Sequence, residues 1–174
     1  LRLQGYLDSS GELSDWANSF VTGPACDTLE LLKNVAAGAL DGMLYEARDE
    51  EYTQSPVQTL SLRKGSCRDF AVLFVDAVRS LGFGARIVSG YLFDPEGSAN
   101  GSSGCGSTHA WAEVYIPGAG WITFDPTNRA VGGHNLIPVA IARHITQTMP
   151  VTGSYIGGDG AFSHMHVEVS VTSL

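Results

Sequence analysis

Apolar positions along this chain follow two periods, and the change falls near residue 82. Before it they recur at spacings of three and four: Leu13, Trp16, Ala17 and Phe20 within "SGELSDWANSFV" (10–21), then Leu31, Leu32, Val35, Ala39 and Leu40 within "CDTLELLKNVAAGALDGMLYEARDE" (26–50). That spacing predicts amphipathic helices. Asp27 and Thr28 stand at a capping position with Glu30 in the first turn, while Gly38 and Gly42 weaken the second helix and are the places for it to break. The stretch "EYTQSPVQTLSLRKG" (51–65), with Pro56 and alternating Val57, Thr59 and Ser61, reads as an extended connection. A third helix is predicted from Cys67 to about residue 81, with Phe70, Ala71, Phe74, Val75, Val78 and Leu81 on its apolar face, Arg79 in its last turn and Gly82 as its stop.

Beyond residue 82 the period becomes two. "ARIVSGYLF" (85–93), "HAWAEVYIP" (109–117), "GWITFDPT" (120–127), "IPVAIARHI" (137–145) and "HMHVEVSVT" (164–172) are predicted strands, "EGSANGSSGCGST" (96–108) a flexible loop and "PGAG" (117–120) a hairpin turn. Helices followed by strands predict an α+β fold, with N-terminal helices packed on an antiparallel sheet. At 174 residues the chain fits one domain, residues 1–174, with a helical lead-in (1–55), a central region (56–128) and C-terminal strands (129–174).

Charge and cysteine content narrow the function. A formal net charge of −8 and a pI of about 4.9 leave no general basic surface for a phosphate backbone, so nucleic acid is not expected as a partner. No apolar run approaches the roughly 20 residues of a membrane helix, and no signal peptide is recognisable in the chain, so a cytoplasmic protein is expected. Three cysteines, Cys26, Cys67 and Cys105, do not suggest a disulfide framework.

Cys67 is the cysteine with chemical context. Ser66 before it can cap the helix, and Asp69 at the third position completes a capping-box pattern. A thiol on the first turn feels the positive end of the helix dipole, which favours the thiolate; a small buried hydrophobe is the alternative, and a common one for free cysteine. In "THAWAEVYIP", His109, Trp111, Glu113 and Tyr115 alternate onto one face, and "GWITFDPTN" places Asp125 at the end of the following strand. A hairpin through "PGAG" that pairs Ile116 or Pro117 with Trp121 makes His109 and Asp125 cross-strand neighbours. An imidazole held by a carboxylate beside a thiol is the arrangement of a nucleophilic triad.

These residues carry a resemblance. "GSCRDFA", "ARIVSGYL" and "STHAWAEVYIPGAGWITFDPTN" are similar to the bacterial members of the transglutaminase-like superfamily, often described as candidate cysteine proteases; the likeness runs from about Ser55 to Asn128 and more loosely through "MPVTGSYIGG" to the C-terminal strand. It implies a papain-like core in which a helix bears Cys67 at its N-terminus, with His109 as general base and then acid, and Asp125 orienting His109. It implies no metal and no organic cofactor. The implied chemistry is acyl transfer from a peptide or Gln carboxamide of a protein or peptide substrate through a Cys67 thioester, more often to water (protease, amidase) than to an amine (cross-linking transglutaminase). The Cys67 backbone N–H is then an oxyanion donor. Gln58 is a second candidate donor, with a solvent-facing or structural amide as the other reading, and Trp111 and Tyr91 are candidates for the substrate cleft or for packing.

Other residues compete less well. Cys26, beside Asp27, reads as structural and Cys105 as an incidental loop thiol; Arg68 and Asp69 read as local support. His164 and His166 share a strand face but lack a third ligand at zinc-type spacing. Two further classes stand against the enzyme: a peptide-binding module that keeps the fold without turnover, and a metal site built from Cys67, His109 and Asp125.

Overall fold

The computed structural model describes residues 6–48, 52–93 and 106–149, together with 153, 156–158, 160–161, 169 and 171. Four helices precede the main sheet: α1 (Glu12–Asn18), α2 (Thr28–Gly38), α3 (Pro56–Leu62) and α4 (Cys67–Ser80). The strands of the sheet are β3 (Gly84–Phe93), β4 (Gly106–Ile116), β5 (Gly120–Asp125), β6 (Ala130–Val131) and β7 (Leu136–Ala142), antiparallel in the order β6-β5-β4-β3-β7. Two short strands, β1 (Leu44–Tyr45) and β2 (Lys64–Gly65), pair in parallel just before α4. The class is α+β, as the change of period predicts. Among the described residues no helix is long and apolar enough to cross a membrane.

The core forms where α4 lies against β3 and β4. Leu73, Phe74, Ala77 and Val78 of α4 meet Ile87, Ala110, Ala112, Val114 and Phe124 of the sheet, with Leu32 and Val35 of α2 and Leu13 and Ala17 of α1 closing the other side. Phe74 and Phe124 touch at a ring separation of 5.4 Å. Burying a Phe side chain is worth about 1.5–3 kcal/mol, so this layer fixes the height of α4 on the sheet. A smaller cluster of Val88, Leu92, Trp111 and Leu136 forms apart from it.

Three segments differ from expectation. Residues 56–62 are not extended: they form α3, capped by Ser55, whose hydroxyl accepts from the Gln58 N–H (3.3 Å) while Gln58 Oε1 accepts from the Ser55 N–H (2.9 Å), with Pro56 opening the helix; only 64–65 form a strand. A reciprocal cap plus proline outweighs the alternation of Val57, Thr59 and Ser61. The helix predicted for 26–50 ends at Gly38, where the Phe20 ring occupies the space a side chain would need, and Gly42 then turns with a φ of 65°. Residues 106–108, expected in the loop, belong to β4, and Ile145 opens a short 3-10 helix rather than ending β7. The strand expected at 164–172 and the loop at 96–105 fall almost wholly outside the described residues.

Candidate active site

The N-terminus of α4 is organised around one buried carboxylate. Asp69, fully buried, accepts from the Ser66 N–H (2.7 Å) and hydroxyl (2.8 Å) through Oδ2, and from the Gln54 N–H (2.7 Å) through Oδ1. Arg48 Nη2 sits 2.9 Å from both oxygens. Ser66, predicted to accept from the first turn, thus donates to Asp69. The arrangement ties the 48–54 segment to the helix start and neutralises the carboxylate where it is buried. It also keeps Asp69 turned inward, and Cys67, partly exposed, stands as the first helical residue above it.

His109 and Asp125 meet as the hairpin requires. The register pairs Ile116 with Gly120, Tyr115 with Trp121 and Ala112 with Phe124, and one step further Asp125 reaches diagonally to His109. The Nε2–H of His109 donates to Asp125 Oδ2 at 2.8 Å, since a carboxylate can only accept. Both groups are buried, His109 at 5% and Asp125 at 1% exposure. The Cys67 thiol is a second hydrogen-bond partner of the same imidazole. Burial alone would lower the His109 pKa, but hydrogen bonds to Asp125 and Cys67 and their negative charge outweigh it and push it up to about 10. At neutral pH the imidazole is therefore held as an imidazolium beside the thiol.

The surroundings of this trio include residues with no recognisable sequence signal. Asn128 Nδ2 donates to Asp125 Oδ2 (2.7 Å) and its backbone N–H to Oδ1 (3.3 Å). Tyr45 pairs with Gly65, two residues before Cys67, so the β1–β2 ladder sets its phenol beside the helix start. Burial, then the charge of Cys67, with Asp125 and Asp69 adding and Arg68 opposing, raises the phenol to about 12 and keeps it a proton donor. A two-residue strand has no periodicity to read, so the place of Tyr45 emerges only in three dimensions.

The remaining candidates fall in different places. Trp111 is 2% exposed and stacks on the His109 ring with centroids 6.1 Å apart, so it backs the imidazole from within rather than lining an open cleft. Gly90, paired with His109, leaves room for that indole: an added methyl would come within 2.9 Å of it and would overlap the Ile137 carbonyl oxygen. Tyr91 is half-buried and pairs with Thr108 and Ile137. Gln58 is engaged in the α3 cap on an exposed turn. Cys26 accepts a contact from the Thr22 hydroxyl (3.7 Å) at the edge of the core, in keeping with a structural role. Cys105, His164 and His166 lie outside the described residues. Among the described residues no group of three or more His, Cys, Asp or Glu side chains is placed to hold a metal ion.

The fold is shared with known proteins. An uncharacterized protein of Mycobacterium leprae is 35% identical over 120 residues, covering 69% of this chain and 42% of its own length. A candidate cysteine protease from Cytophaga hutchinsonii superposes with a TM-score of 0.63 at 27% identity, over 78% of this chain and 43% of that one. LapG of Legionella pneumophila in its calcium-bound form shares the fold, with a TM-score of 0.56 at 18% identity over 75% of this chain and 71% of that one. The chain thus spans less than half the length of the first two relatives. The profile of the transglutaminase-like superfamily matches residues 14–126, from α1 through the whole β4–β5 hairpin. The chain belongs to the transglutaminase-like superfamily.

Proposed function

We propose that the protein is a cysteine-dependent acyl-transfer enzyme in which Cys67 is the nucleophile, His109 the acid and base, and Asp125 the residue that orients His109. The observation that carries the reading is the His109 imidazole bound through Nε2 to Asp125 at 2.8 Å and hydrogen-bonded as well to the Cys67 thiol, which stands at a helix N-terminus. Each partner alone has an ordinary structural use; the three in series fit a nucleophile, its proton carrier and the carrier's anchor.

The steps follow from the geometry. The proton of Cys67 resides on His109, and the thiolate attacks the carbonyl carbon of a carboxamide. The C=O pair moves to oxygen, and the Cys67 backbone N–H and the Tyr45 hydroxyl are the donors available to that oxyanion. As the C–N bond breaks, the Nδ1–H of His109 passes its proton to the leaving amine. A thioester on Cys67 remains. His109, now neutral, takes a proton from water, and the hydroxide equivalent releases the acid and regenerates the thiol pair. An amine could enter by the same route. Hydrolysis of a protein or peptide substrate is the reading preferred here, because it requires no site for a second, cationic substrate, and it accords with the description of the Cytophaga relative as a candidate cysteine protease.

The test uses Cys67 as the only thiol, with Cys26 and Cys105 replaced by Ser. Iodoacetamide should alkylate it at pH 6 at least about 10-fold faster than free cysteine, and His109→Ala should remove that excess. A Cys67 no faster than free cysteine, with no response to His109→Ala, overturns the reading. Incubating the parent with casein and a fluorescent primary amine then separates the acceptors: new peptide termini or released ammonia mean water, and label on casein means amine.

A further inference from the structure

Asp125 leaves strand β5 into the turn Asp125-Pro126-Thr127-Asn128, and the last residue of that turn folds back onto the first. Asn128 Nδ2 donates to Asp125 Oδ2 at 2.7 Å, the same oxygen that receives the His109 Nε2–H, and lies 3.5 Å from Nε2 itself. The Asn128 N–H reaches the other oxygen, Oδ1, at 3.3 Å. The oxygen that serves His109 is therefore shared between an imidazole and an amide. Asn128 is itself exposed, whereas Asp125 and His109 are buried. On the other side of the imidazole stands Trp111. The pair is closed by an indole inside and by an amide toward solvent.

We propose that Asn128 is a positioning residue that clamps the Asp125 carboxylate in the orientation His109 requires and keeps water off their hydrogen bond. The inference deepens the acyl-transfer reading and rests on it for its functional meaning. A carboxylate can rotate about its Cβ–Cγ bond, and the weak backbone contact at 3.3 Å cannot stop that rotation. The amide at 2.7 Å can, because turning Oδ2 away from His109 would break both of its hydrogen bonds at once. If the amide is removed, water fills the vacated position and supplies the lost donor, so the number of hydrogen bonds on Oδ2 is unchanged. What disappears is the fixed orientation and the dry surroundings, and both changes weaken the hold of Asp125 on the imidazolium. The charged or titratable groups facing His109 are Asp125 from β5, Cys67 from α4 and, beside them, Tyr45 from β1. Only the first is altered by the substitution.

One substitution keeps the turn and removes the clamp: Asn128→Ala takes away the amide but leaves the backbone N–H on Oδ1. The primary readout is the titration of the His109 ring, followed by NMR on protein labelled at histidine, which needs neither substrate nor turnover. Asn128→Ala should move the His109 titration midpoint down by about one pH unit, the effect of loosening one charge-assisted hydrogen bond. Alkylation of Cys67 at pH 7 should stay close to that of the parent, because a His109 midpoint one unit below about 10 still lies well above neutral pH and the imidazolium keeps its proton there.

A His109 midpoint within about 0.3 pH units of the parent in Asn128→Ala overturns the clamp, even if the melting temperature drops, since a structural role in the turn would lower stability and leave the titration in place. The two readings fail separately. An inert Cys67 in the parent defeats the acyl-transfer reading while the NMR titration still decides whether Asn128 holds the His109–Asp125 pair.

Discussion

Replacing Asp69 with Ala should be among the most damaging single changes outside the proposed catalytic residues. The side chains of Asp69 and Arg48 are 0% and 7% exposed, and the carboxylate accepts from Arg48, from the backbone N–H groups of Gln54 and Ser66 and from the Ser66 hydroxyl. Removing it strands a guanidinium in the interior, which costs about 3–5 kcal/mol. Two backbone donors lose their acceptor as well, at about 1 kcal/mol or more each where water cannot reach them. The sum, on the order of 5 kcal/mol, approaches the whole stability of a typical domain at about 5–15 kcal/mol. Urea denaturation followed by circular dichroism measures it, with Arg48→Met and the double variant completing a cycle. The double variant should be more stable than the single losses predict by about 1–3 kcal/mol, since removing both charges leaves no stranded partner. A loss below about 1 kcal/mol in Asp69→Ala, or additive behaviour in the cycle, would refute the claim that this ion pair organises the start of α4.

Three further outcomes are expected. Tyr45→Phe should slow acylation of Cys67 by p-nitrophenyl acetate about 100-fold, the worth of one oxyanion donor, while alkylation by iodoacetamide, which forms no oxyanion, stays the same; equal losses in both would point to a packing role. His109 titrates at about 10 when folded against 6.5 as its ordinary value, so its stabilising charge is fully present below about pH 6.5 and is lost as pH rises to about 10. The urea midpoint should therefore fall across that window in the parent and fall less in Asp125→Asn; identical slopes would show that the pair does not exist in solution. Gly90→Ala forces a methyl against the Ile137 carbonyl and within 2.9 Å of the Trp111 indole, and should destabilise by about 3 kcal/mol in thermal melts, because a backbone atom cannot move aside as a flexible side chain can.

The parts of the fold that were legible in the sequence are those whose signals are local and agree with one another. Helix α4 has a cap, an apolar stripe, a basic last turn and a terminal glycine, and it runs from Cys67 to Ser80. The β4–β5 hairpin combines strict alternation with two glycines in its turn, and its register differs by one residue from the pairing expected at Ile116. Around α3 the signals conflict. Val57, Thr59 and Ser61 alternate like a strand, but Ser55, Pro56 and Gln58 form a helix start, and Pro56 and Thr59 are the residues buried. At the candidate site, Cys67, His109 and Asp125 stand at the ends of predicted elements, so their convergence follows from topology. Arg48, Tyr45 and Asn128 do not. Arg48 reaches Asp69 across 21 positions of sequence, and Tyr45 gains its place from a strand of two residues. Such roles come from tertiary packing and leave no periodic trace.

The arrangement also explains how two buried carboxylates can lie near a thiol that is proposed to ionise. Uncompensated, Asp69 and Asp125 would each oppose a negative sulfur by like charge. Each has its own cation: Arg48 for Asp69, and the imidazolium of His109 for Asp125. The two cations differ in kind. A guanidinium keeps its charge at any working pH and so provides a permanent neutralisation at the foot of the helix. An imidazolium can give its proton away, which is what the leaving amine requires. Exchanging the two would leave an acid that cannot donate and a helix start that loses its counter-charge as the pH rises. Under the proposed mechanism, the positions of Arg48 and His109 around Cys67 answer the separate demands of folding and proton transfer.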